Sequence, residues 1–162
     1  MPSEQASEWI EQGLTLHEEG RFSEALAAYE RAAHLEPENA LAPFYQGCAL
    51  LDEGHYAEAL AALERAIALG ADFVDVYREQ GVALYWLGRL EEALAAVKHA
   101  QEVNPTDAET WYVTNQVFQA LGQPVAALKA AEQACRLDPE SADAALSQGH
   151  LLEHFHRPRH AQ

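Results

Sequence analysis

Residues 6–39 read ASEWIEQGLTLHEEGRFSEALAAYERAAHLEPEN. From Phe22 to Leu35 the apolar positions follow F-x-x-A-L-x-x-Y-x-x-A-x-x-L, spacings of three and four that lay one stripe along an amphipathic helix. Gly20, just before it, returns as Gly54, Gly88 and Gly122, always 34 residues on and always in a short turn (E-G-R, E-G-H, L-G-R, L-G-Q). Ala25, Ala59, Ala93 and Ala127 keep the same step, as do Leu26, Leu60, Leu94 and Leu128, and then Ala32, Ala66, Ala100 and Ala134. Families of positions in phase over this length predict a repeat whose unit is two helices around a glycine turn.

With Trp9, Gly13, Ala25, Tyr29, Ala32 and Pro37 in those positions, the first unit resembles a tetratricopeptide repeat. The predicted units are 6–39, 40–73, 74–107 and 108–141, followed by one capping helix over 142–156 and a short tail, 157–162, all in a single domain. The resemblance implies an all-α, right-handed superhelical solenoid of antiparallel helix pairs, with the first helices lining a concave groove.

The packing can be argued from side-chain size. Gly13, Gly47, Gly81 and Gly149 on first helices, opposite the Ala25 series on second helices, let paired axes approach closely. Leu16, Leu50, Leu84 and Phe118 should fill that contact, and Leu35, Leu69, Val103 and Leu137 should close its far end. Pro37, Pro105 and Pro139 follow second helices, where a missing N–H costs least. Ala71 takes the proline position in the second unit, Pro43 falls in a first helical turn, and Asn115 replaces the glycine, which argues against equally close contact in the fourth unit.

Composition bounds the function. A chain of 162 residues forms one ordinary domain and needs neither metal nor disulfide for stability; no cofactor is expected. Acidic residues outnumber basic ones 26 to 10, a net charge of −16 that repels nucleic acid and anionic membranes. The opening MPSEQASEWIEQG has no leader pattern and no apolar run could span a bilayer, so a cytoplasmic protein is expected. Cys48 and Cys135, far apart in sequence, read as free and mostly buried thiols.

The family resemblance implies groove positions at the second, fifth, sixth, ninth, twelfth and thirteenth residues of each unit. In the first unit these are Ser7, Ile10, Glu11, Leu14, His17 and Glu18. The peptide-binding site expected in the later units comprises Phe44, Tyr45, Cys48, Leu51, Asp75, Arg78, Glu79, Val82, Tyr85, Trp86, Glu109, Tyr112, Val113 and Gln116, with Asp52 beside them. Its centre is aromatic and its flanks are acidic, a combination suited to an apolar peptide or helix carrying lysine or arginine. Relatives that hold acidic chaperone tails resemble one another in a clamp of lysine, arginine and asparagine. The equivalents here are Ile10, Leu14, Tyr45, Asp75 and Glu79, so that clamp is missing and an acidic tail would be repelled.

His150, Glu153 and His154 form H-x-x-E-H, a zinc-hydrolase spacing. They fall in the first half of a repeat that has no second half, and the chain offers no third ligand or cleft beyond them, so a polar end piece is expected rather than a metal or catalytic site. A non-catalytic binding module or chaperone-like adaptor is therefore the reading. The alternative is a structural protein that self-associates through its ends, since Leu151, Leu152 and Phe155 on the last helix could meet a second copy.

Overall fold

The computed structural model describes residues 4–141. The expected capping helix, the tail and the H-x-x-E-H stretch lie outside these residues. The described part is all helical: α1 (Glu4–Glu18), α2 (Phe22–Leu35), α3 (Leu41–Glu53), α4 (Tyr56–Ala68), α5 (Val74–Trp86), α6 (Leu90–Val103), α7 (Ala108–Ala120) and α8 (Pro124–Leu137). Each helix packs on its chain neighbours, and the odd-numbered helices also touch in series, α1 on α3, α3 on α5, and α5 on α7. This is a helical repeat array with the first helix of each pair lined up along one face.

The turn glycines set the pairing. Gly54 (φ +84°) and Gly88 (φ +76°) adopt the left-handed conformation that closes a helix, and the following N–H groups reach back, His55 to the Leu50 carbonyl at 2.8 Å and Arg89 to that of Leu84 at 2.9 Å. Where the second unit lacks its proline, Gly70 (φ +102°) ends α4 by the same device, with the Ala71 N–H on the Ala66 carbonyl. Proline and left-handed glycine are two routes to the same stop.

Ala25, Ala59, Ala93 and Ala127 are all fully buried at the contact between paired helices. The glycines opposite leave no room: a Cβ on Gly13 would meet the Tyr29 ring, on Gly47 the Leu63 side chain at 2.7 Å, and on Gly81 the Val97 Cγ1 at 2.7 Å. Contrary to expectation, Asn115 does not loosen the fourth pair. It is fully buried, its Nδ2 donates to the Ala127 carbonyl at 2.7 Å, and its Oδ1 accepts from Gln119. The room comes from across the contact, where Tyr29, Leu63 and Val97 give way to Ala131. Three pairs match a glycine with a large residue, and the fourth matches an asparagine with a small one.

Two other expectations change. Leu35 and Val103 are 46% and 39% exposed and close nothing. Helical spacing puts Leu35 on the face of exposed Ala27 and Arg31, and Val103 on that of exposed Ala95 and His99, the outer sides of their helices. Cys48 and Cys135 are free but only half-buried.

Candidate functional site

The face shared by α1, α3, α5 and α7 carries most of the expected groove residues, and its centre is organised by one cation. Arg78, with only 11% of its side chain exposed, has its Nη1 2.8 Å from Asp107, its Nη2 3.0 Å from Asp75 and 3.3 Å from Glu109, and its Nε 3.5 Å from Glu79. Four carboxylates from α5, α7 and the turn before α7 thus converge on one guanidinium. Asp107 was not among the sequence-derived site residues, because it precedes α7 and acts there as helix cap, accepting from the Thr110 N–H at 3.1 Å.

The two ends of this cluster are held differently. Burial alone would raise the Asp107 carboxyl, but Thr110 and Arg78 hold it below the ordinary range. Glu79 goes the other way: burial raises it, Glu109 and Asp52 add to the rise, and Arg78 only partly opposes it. Because the folded-state value of Glu79 lies above the unfolded one, its ionisation costs stability. That cost is absent below the ordinary value near 4.5 and complete above the raised one. Glu79→Gln is therefore expected to raise the urea midpoint at pH 7 and leave it unchanged well below pH 4.5, as chemical denaturation at the two pH values would show. Cys48 has its thiol pushed upward chiefly by burial, with Glu79, Asp52 and Asp75 adding to the rise, which favours the neutral thiol over the thiolate.

Toward the first repeat, His17 Nε2 lies 2.5 Å from Asp52 Oδ2 and ties α1 to α3. Beyond it, a depression of about 720 Å³ opens between α1 and the α2–α3 turn, lined by Ser7, Ile10, Glu11, Glu36, Pro37, Glu38, Asn39 and Leu41. Half of that lining comes from the 36–39 turn, outside the expected groove positions, so the register of the first helices alone does not reveal it.

The aromatic residues divide. Phe44 is 6% exposed, edge-on to Phe73 at 4.9 Å, and belongs to the core between repeats; Val113, 7% exposed, does too. Neither presents a surface to a ligand, because each is buried in the central core. Tyr45 is half-buried, stacked on Tyr29 at 5.8 Å. Leu51, Val82 and Tyr85 are half-buried against the central core. Tyr112 is half-buried too, its hydroxyl accepting from Gln116 at 3.2 Å. Trp86 is 56% exposed and lies parallel to Tyr56 at 5.5 Å, with Tyr85 edge-on at 5.2 Å. Tyr56 starts a second helix, which is why the groove register missed it.

Tetratricopeptide repeat family models match residues 6–39 and 50–116, the first of these spanning the first predicted unit. This chain is a tetratricopeptide repeat protein. Its fold superposes on that of TTC0263, a thermophilic member of the family from Thermus thermophilus, with a TM-score of 0.81 at 24% identity over 94% of this chain and 84% of that one. YrrB, described as a tetratricopeptide repeat protein with an unusual peptide-binding site, gives 0.73 at 25% identity over 91% and 76%. The first such domain of Spaghetti (RPAP3), bound to the HSP90 peptide SRMEEVD, gives 0.72 at 25% over 75% and 99%. No curated protein sequence matches the chain significantly. Among the described residues of this tetratricopeptide repeat protein, no helix is long and apolar enough to cross a membrane, and no three histidine, cysteine or acidic side chains are grouped to hold a metal ion.

Proposed function

We propose that this tetratricopeptide repeat protein is a non-catalytic interaction scaffold whose groove binds an apolar protein segment carrying lysine or arginine. The observation that carries this reading is the state of Arg78. Its guanidinium is already shared among Asp75, Glu79, Asp107 and Glu109 and its side chain is 11% exposed, so its charge is outnumbered four to one and offers little attraction to a ligand carboxylate. Over all four units the groove positions hold six carboxylates (Glu11, Glu18, Asp52, Asp75, Glu79, Glu109) and no second arginine or lysine. A ligand like the acidic peptide on RPAP3 meets the wrong sign here, whereas a cationic one completes an under-neutralised cluster. Trp86, stacked on Tyr56, supplies a rigid amphipathic platform for the apolar and cationic parts alike.

A peptide array pairing Lys/Arg-rich amphipathic sequences with Glu-substituted counterparts tests the sign directly. The basic set is expected to bind and the acidic set to fail. For a binder found this way, Trp86→Ala should weaken affinity by about 2 kcal/mol through faster dissociation. Asp75→Asn with Glu79→Gln should mainly slow association and flatten its salt dependence. Preference for the acidic peptides, or groove variants that bind as well as the parent, would overturn the proposal.

A further inference from the structure

The depression at the first-repeat end of the groove and residues 150–162 are chemically matched. Ile10 and the 42%-exposed Leu41 give the depression an apolar floor, Glu11 and Glu38 are exposed on its rim, and no lysine or arginine lines it. Residues 150–162 read HLLEHFHRPRHAQ: Leu151, Leu152 and Phe155 are followed by Arg157 and Arg159, with four histidines and a single carboxylate. Two of the ten basic residues stand in these 13, against one of the 26 acidic ones, in a protein of net charge −16. This is the kind of segment that the groove is suited to hold, apolar first and cationic after.

We propose that residues 150–162 of one copy dock in the first-repeat end of another copy's groove, Leu151, Leu152 and Phe155 over Ile10 and Leu41, and the two arginines toward Glu11 and Glu38. This rests on the groove being the binding face. A second copy is the occupant because helix contacts run in series from α1 to α8, which puts the depression at one end of the array and α8, the last described helix, at the other. Stacking copies end to end brings the two together, whereas a single copy would have to lead its chain back along the whole groove. The contact is heterologous, since each copy offers a different surface to each neighbour, so it continues into chains unless the rotation closes a ring.

Sedimentation of the full chain over a range of concentrations tests this. Mass is expected to grow past a dimer as concentration rises, and to fall back toward monomer in about 0.5 M salt. Arg157→Glu with Arg159→Glu, or Leu41→Asp with Glu38→Gln, should each weaken association at least tenfold. Mixing these two variants should yield one heterodimer and nothing larger, because only one intact groove and one intact tail meet. Assembly that either variant leaves unchanged overturns the proposal, as does a mixture that stays monomeric. A parent that is monomeric throughout also overturns it, and a labelled 150–162 peptide then separates two causes: binding to the tail variant alone means that each copy fills its own groove. If that peptide fails on both proteins while an unrelated Leu/Arg peptide binds, the groove reading survives and the tail assignment falls; if neither peptide binds, both fall.

Discussion

Gly81→Asn is expected to destabilise the protein by about 3 kcal/mol, and adding Val97→Ala is expected to restore most of that loss. A Cβ at position 81 would lie 2.7 Å from Val97 Cγ1, and a branched amide needs still more room, so the paired helices α5 and α6 must separate. Val97→Ala alone should cost about 2 kcal/mol by leaving a cavity beside a fully buried site. Together the two changes recreate the fourth pair, where Asn115 faces Ala131 and bonds the Ala127 carbonyl; the equivalent acceptor, the Ala93 carbonyl, is 3.5 Å from the position-81 Cβ. Separate losses would sum to about 5 kcal/mol, so restoring most of the first implies a coupling of about 3.5 kcal/mol, read from urea unfolding of the four proteins. Additive losses would show that the glycine–large and asparagine–small pairs are not interchangeable solutions to one contact.

Arg78→Met removes the only cation among four carboxylates. Losing one partner of a buried ionic cluster typically costs about 3–5 kcal/mol, and the low end applies here because Glu109 and Asp75, 76% and 49% exposed, can turn into water. The loss should depend on pH. Asp107 is held low partly by Arg78, so it contributes stability that is present above its ordinary value of 3.8 and lost as pH falls through its depressed one. Without Arg78 that contribution shrinks, and mutual repulsion with Glu79 and Glu109 is added at neutral pH but vanishes as the carboxyls protonate. The deficit of the variant should therefore be largest near pH 7 and small near pH 3, as denaturant midpoints across that range would show. A pH-independent deficit would mean that Arg78 acts through packing of its alkyl stem alone.

The two cases separate what each level of description decides. The 34-residue step of Gly20, Gly54, Gly88 and Gly122 determines the helix pairs from the sequence alone, because a left-handed glycine turn and a period near 3.6 are local properties that neighbouring residues impose. The small-residue contact at Ala25, Ala59, Ala93 and Ala127 was equally legible, since only a close approach of axes requires it. Even the fourth pair was readable in principle, because Ala131 stands in register with Tyr29, Leu63 and Val97. Only the tertiary structure decided the character of the groove. Phe44 and Val113 occupy groove positions by register yet turn into the core between repeats, Tyr56 reaches Trp86 from the second helix of the preceding pair, and Asp107 joins Arg78 from a turn. Periodicity assigns a residue to a helix face, but the rotation and stagger of one repeat on the next decide whether that face meets solvent, a neighbour or a charge. Those follow from packing between residues about 30 positions apart, which no local pattern encodes.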